Sequence, residues 1–243
     1  NQLSDTEHTN LGLDWGNKTA TIRWSHLFHQ KLFSSVALIY SNFNFGVNSS
    51  AKDQFQSDET AVPYSLKYDS QIQDWSSKVD FDYFPNNTHT IKFGLHGTFH
   101  NFSPSAIAVA GPLLLNPIER ADMRQKSFEG GIYVEDTWQI APRIKANIGL
   151  RFSSFQVARK WYLRPEPRIS TSFQLANDLS FKFSYADMNQ YVHMLSNTGL
   201  GLPTDLWVPT TRQVAPQQAK QIAIGLAKDI PHPGVSITLE VYG

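Results

Sequence analysis

The chain has 243 residues with 21 basic and 21 acidic side chains, so its formal charge is zero and no basic stripe is available to neutralise nucleic-acid phosphates. It contains no cysteine, which removes disulfides, thiolate zinc sites and cysteine nucleophiles together. Hydrophobic residues at 41% and aromatics at 13% carry too much apolar surface for a disordered chain.

The opening NQLSDTEHTN is polar and does not read as a signal peptide. The best uncharged run, Phe102 to Ile118, is broken by Pro104, Pro112 and Pro117, so no membrane-crossing helix is expected. Alternation of apolar and polar residues, the mark of half-buried strands, runs through the rest. It predicts about eleven strands: 7–15, 18–26, 32–47, 66–85, 89–102, 124–139, 143–157, 164–176, 179–190, 216–228 and 235–242. The clearest is 144–152, where Ile144, Ala146, Ile148, Leu150 and Phe152 alternate with Lys145, Asn147, Gly149 and Arg151. Most segments supply the roughly 9–11 residues that a tilted membrane-spanning strand needs.

The connections alternate in length. Short turns are expected at His26–Lys31, Pro85–Thr88, Ala141–Pro142, Ala176–Asp178 and Asp229–Gly234. Long excursions are expected at Asn48–Ser65, Ser103–Met123 and Tyr191–Ala215. Two short turns, at Gly16-Asn17 and around Trp161–Leu163, fall in the long-loop phase and break the rhythm. Short turns at one end and long loops at the other are the signature of an outer-membrane barrel. Trp15, Trp24, Trp138, Trp161, Tyr162 and Trp207 stand near segment ends, where a ring can lie at the edge of the hydrocarbon. The fold class read from these features is all-β, an antiparallel transmembrane β-barrel.

In such a barrel the apolar face meets lipid and the polar face lines the lumen. Lys92, His96, His100, Asp80, Asp82, Arg151, Arg168, Ser170, Lys182 and Gln221 are therefore expected inside. His96 and His100 lie four apart on one strand and could bind a metal or an anion, or could simply form part of a wetted wall. The loop Tyr191–Ala215 is the best place for ligand contacts, with His193, Asp205, Trp207 and Arg212 as candidates. Trp207 could stack on a ring and Arg212 could pair with a carboxylate. No G-x-S-x-G nucleophile elbow is present, no cofactor is implied and no enzyme is expected.

The run GIYVEDTWQIAPRIKANIGLRFSSF, Gly131 to Phe155, resembles the recurrent strand–turn–strand of TonB-dependent outer-membrane transporters. LRPEPRISTSFQLANDLSFKFSYADMNQYVHML, Leu163 to Leu195, is similar to the family's Glu-Pro-Arg strand and the Tyr-rich strand after it. DLWVP at Asp205–Pro209, WGNKTATIRWSHLF and KLFSSVALIYSNFNF resemble the branch with carboxypeptidase-regulatory-like N-terminal domains. The resemblance implies about eleven strands of a barrel of about 22 strands, in the size class that holds a plugged lumen. It implies residues 1–243 as a partial barrel domain, without the plug and without the C-terminal strands. It places the protein in the Gram-negative outer membrane, with lipid, its own plug and the TonB complex as partners. It also implies import of a scarce ligand: a siderophore, cobalamin, an oligosaccharide or a peptide. The alternatives are a soluble all-β ligand- or carbohydrate-binding module, or a plugless porin or adhesin.

Overall fold

The structure is a computed structural model that describes residues 8–52, 63–110, 124–195 and 206–243. The element order is β1 (His8–His29), β2 (Leu32–Lys52), β3 (Pro63–Tyr83), β4 (His89–Ala110), β5 (Gln125–Ala141) and β6 (Ile144–Val157). It continues with β7 (Lys160–Ala176), β8 (Leu179–Gln190), β9 (Val192–Leu195), β10 (Leu206–Pro209), β11 (Gln217–Ile230) and β12 (Val235–Tyr242). Ten strands form one antiparallel sheet in the order β1-β2-β3-β4-β5-β6-β7-β8-β11-β12, and β9 and β10 form a separate hairpin between β8 and β11. Among the described residues no helix is long and apolar enough to cross a membrane.

The short turns expected between β1 and β2, β3 and β4, β5 and β6, β7 and β8, and β11 and β12 are all present. The two exceptions to the rhythm are resolved differently. Gly16-Asn17 is no turn, because β1 runs unbroken from His8 to His29 against β2. Two expected strands are therefore one, and the wall has ten strands where the sequence suggested about eleven. Trp161–Leu163 lies inside β7, and the turn falls earlier, at Ala158 and Arg159.

Register and pleat explain the misread turn. Successive side chains on a strand point to opposite faces. Following the cross-strand partners assigns every residue of the sheet to one face. Asp80, His96, Tyr133, Arg151 and Glu166 share one face, across which side chains reach over intervening strands. This is the inner face. Glycine makes the reach possible: a Cβ on Gly131 would stand 2.5 Å from Cε1 of His96, whose ring crosses β5 there to meet Arg151 on β6.

On the outer face, Tyr40, Trp75, Phe99, Phe128 and Trp161 fall in one register row across β2 to β7, with Gln156 on β6. Neighbouring rings touch: Tyr40–Trp75 at 4.7 Å, Phe99–Phe128 at 4.8 Å and Phe128–Trp161 at 6.4 Å between centroids. Towards the short-turn end the outer face stays largely apolar for a further eight residues, past Ser77 and Gly97 to Val79, Phe81 and Tyr83 on β3 and Leu95, Phe93 and Ile91 on β4. At about 3.3 Å per residue that belt spans about 26 Å along the strand, close to the roughly 25 Å apolar band of an outer-membrane barrel.

Strands β1 to β4 are 21–22 residues long and continue well past the aromatic row. Beyond it the polarity of the faces inverts. The outer face now carries Asn42, Asn44, Gln71, Gln73 and Asn101, while Trp15, Phe43, Phe45, Val47, Ile72 and Phe102 lie on the inner face. A strand leaving hydrocarbon for water has no further use for an apolar outer face. In β1 it falls between Trp15 and Ile22, and the resulting change of phase is what looked like a turn.

Candidate functional site

The inner face of β3 to β8 holds a continuous polar network built from the positions that alternation directs inward. His100 Nδ1 stands 2.8 Å from Asp74, and its Nε2 is 3.9 Å from Glu129. Arg151 then links three partners. Its Nη2 lies 3.8 Å from Glu129 and donates to His96 Nε2 at 3.0 Å, while its Nε is 3.6 Å from Glu166. The accepting nitrogen of His96 must be unprotonated, so His96 holds its proton on Nδ1. Glu166, 4% exposed, also accepts from Ser153 at 2.5 Å and from Asn189 at 3.2 Å. Three carboxylates thus share one guanidinium and one imidazole.

Towards the long-loop end this network passes into a buried, mostly aromatic hydrophobic cluster of Phe155, Val157, Tyr162 and Tyr191. The Phe155 and Tyr191 rings stack with centroids 5.0 Å apart and planes within 2° of parallel. Tyr191 Oη is 2.7 Å from Ser153 Oγ. Since the single Ser153 proton goes to Glu166, Tyr191 is the donor in that pair. Tyr191 caps β8 at the start of the loop, and burial raises its phenol above the ordinary value, so it stays protonated. The β9–β10 hairpin grows from this point. Thr210 N donates to Tyr191 O at 2.7 Å, and Tyr162 Oη donates to Thr211 O at 2.7 Å. β10 reaches back to touch β3 and β4, so the hairpin lies inward over the wall. Below it a cleft of about 730 Å³ is lined by Glu129, Arg151, Glu166, Asn189, Tyr191 and Gln218 among others.

Tyr191→Phe tests the tie between hairpin and network. It removes one neutral hydrogen bond and keeps the ring stack, so it should cost about 1 kcal/mol and populate the detached hairpin about fivefold more. Limited proteolysis of the folded protein in detergent reads this as faster cutting between Val192 and Pro209.

The residues singled out from the sequence fall into two groups. His96 and His100 share the inner face of β4, as their spacing implied, but each is held by partners of its own. Among the described residues no three His, Asp or Glu side chains gather as a metal would require. His193 is 6% exposed, and its Nε2 stands 2.9 Å from Thr210 Oγ1 inside the hairpin. Trp207 is half-buried in β10, and Arg212 is exposed beyond it, its carbonyl 3.5 Å from Lys160 Nζ. Asp205 lies outside the described residues. Of the aromatics expected at membrane edges, Trp161 joins the outer row, whereas Trp15 and Tyr162 belong to the inner face. Sequence reading missed Glu129, Ser153, Glu166 and Tyr191. The signal was available, since Glu129, Arg151 and Glu166 all take inward positions once register is known.

The chain was compared with known proteins. No curated protein sequence matches it. Solved structures do. The ferric preacinetobactin receptor BauA of Acinetobacter baumannii superposes with a TM-score of 0.63 at 16% identity, covering 95% of this chain and 37% of the receptor. The ferric-catecholate import receptor Fiu of E. coli K12 gives 0.64 at 14%, covering 95% and 40%. The RagAB peptide transporter gives 0.62 at 10%, covering 96% and 30%. The chain therefore spans well under half the length of these structures, and at such identities they establish the fold alone. The model of the TonB dependent receptor-like β-barrel matches residues 1–242. With its apolar outer belt, inward ionic network and alternating turns, the chain belongs to the TonB-dependent receptor β-barrel family, a family of the Gram-negative outer membrane.

Proposed function

We propose that these ten strands are part of the wall of a larger closed barrel that imports a scarce ligand with energy from the TonB complex. The ligand classes are those of the resemblance: siderophore, cobalamin, oligosaccharide or peptide. The ferric-siderophore receptors and the peptide transporter among the structural neighbours support the range without selecting one. The observation that carries the reading is the layered inner face, with an ionic network at mid-wall and a roofed aromatic cluster at the long-loop end.

In this reading the sheet edges at β1 and β12 pair with further strands, since unpaired backbone groups are not tolerated in hydrocarbon. A plug fills the lumen, and residues 1–243 act as scaffold. Trp207 and Arg212, with Asp205 as a further candidate, contact ligand at the mouth, His193 supports the hairpin from within, and His96 and His100 line the lumen. Uptake of labelled candidate ligands by cells carrying the full-length protein, with and without the proton-motive force, tests this. Energy-dependent uptake of one class is the expected result. Uptake that is unaffected by an uncoupler and follows solute size would instead show a passive pore.

A further inference from the structure

Charge on the inner face is segregated. Strands β3 to β5 carry Asp74, Asp80, Asp82, Glu129 and Glu135, and two of these acids are met by lysines within the same panel. Lys78 lies 3.1 Å from Asp80, and Lys92 lies 3.6 Å from Asp82. Strands β6 to β8 carry the opposite excess, and most of it is uncompensated. Lys145, Arg168 and Lys182 make no ion pair among the described residues, although all three point inward by register. Lys145, Ser172 and Lys182 form one row across three neighbouring strands, so the two lysines stand about 10 Å apart at 4.8 Å per strand. The row above it, Asn147–Ser170–Ser184, presents only amide and hydroxyl groups, and Arg168 crowns the next. The lysine row and the hydroxyl row line a recess of about 400 Å³ near the short-turn end, together with Glu240 of β12, while Arg168 lies outside it with its side chain over Gly149.

We infer that Lys145 and Lys182, with Ser170, Ser172 and Ser184 between them, form a docking site for carboxylates on a folded segment that fills the lumen. The inference rests on the proposed plug and adds its chemistry and orientation. Cations are cheap in an open, wet lumen. Covering them with protein strips each unpaired ion of its water, so a segment that packs here must bring counter-charge. The panel is several strands wide and interleaved with hydroxyls, which suits several carboxylates on a surface better than one small anion. The acidic panel beside it is already half neutralised and makes a weaker demand. The segment's acidic face therefore turns to β6–β8.

Zero-length carbodiimide coupling of the purified full-length protein, mapped by mass spectrometry, tests this. Lys145 and Lys182 should be joined to Asp or Glu residues of a segment outside the sheet. Lys145→Gln with Lys182→Gln should remove those products, and 1 M salt should reduce their yield severalfold. In the same protein an amine-acylating reagent should modify Lys145 and Lys182 at least tenfold more slowly than Lys18. Coupling of the two lysines only to wall carboxylates such as Glu240, or acylation as fast as at Lys18, would overturn the docking site. The plug reading fails separately, if no inner-face residue, Asp80 and Asp82 included, couples to any segment outside the sheet.

Discussion

Arg151→Met is expected to destabilise the wall by roughly 2–4 kcal/mol, near the cost of removing one partner from a buried ion pair. The guanidinium faces Glu129 and Glu166 and donates to His96, and among the described residues no other charged group forms an ion pair with Glu166. The side chain of Glu166 is 5% exposed while that of Arg151 is 31% exposed, which places the loss at or just below the range for a fully buried pair. Methionine keeps much of the volume, so packing contributes little to the difference. Equilibrium urea unfolding of the full-length barrel from lipid vesicles, followed by tryptophan fluorescence, reads the change. Adding Glu129→Gln and Glu166→Gln should recover most of it, because the cost lies in carboxylates left without a counter-charge. A loss that persists unchanged in the triple variant would assign Arg151 a packing role instead.

Phe152→Arg should cost about as much for a different reason. Phe152 lies on the outer face between Ile132 and Pro165, midway down the apolar belt, where an arginine costs roughly 2–4 kcal/mol. Asn44→Arg, on the same outer face but beyond the aromatic row, should cost less than about 1 kcal/mol. Comparing the two separates burial in lipid from general intolerance of charge on a strand. Equal and small effects at both positions would mean that the outer face meets water throughout.

Much of this architecture was legible from alternation alone. The bounds of β8 and β12 were read almost to the residue, because apolar and polar residues alternate from Leu179 to Tyr185 and from Val235 to Val241. Where both faces change character, the reading failed. Strand β1 was cut in two because its apolar residues move from odd to even positions between Trp15 and Ile22, and period-two logic has no other account of such a slip. Trp161-Tyr162-Leu163 broke the pattern for a related reason. Trp161 and Leu163 face outward, while Tyr162 is buried on the inner face and bonded to the Thr211 carbonyl. The short hairpin strands β9 and β10, of four residues each, fall below the length at which alternation can be recognised. The ionic network was half visible. Its members were recognisable as inward residues strand by strand, but the meeting of Arg151 with His96 across β5 depends on Gly131 and on a register no single strand reveals.

The inversion of the two faces is the central structural claim, and a nitroxide scan along β3 tests it most directly. Single labels at positions 69 to 83 of the full-length protein in bilayers would be read for collision with oxygen and with a water-soluble nickel chelate. Positions 75, 77, 79, 81 and 83 should favour oxygen, as lipid-facing sites do. Positions 69, 71 and 73, on the same outer face, should favour the nickel reagent. An oxygen preference that continues unbroken from 83 to 69, or one that is absent along the whole strand, would contradict a wall that crosses the membrane at this row and rises beyond it.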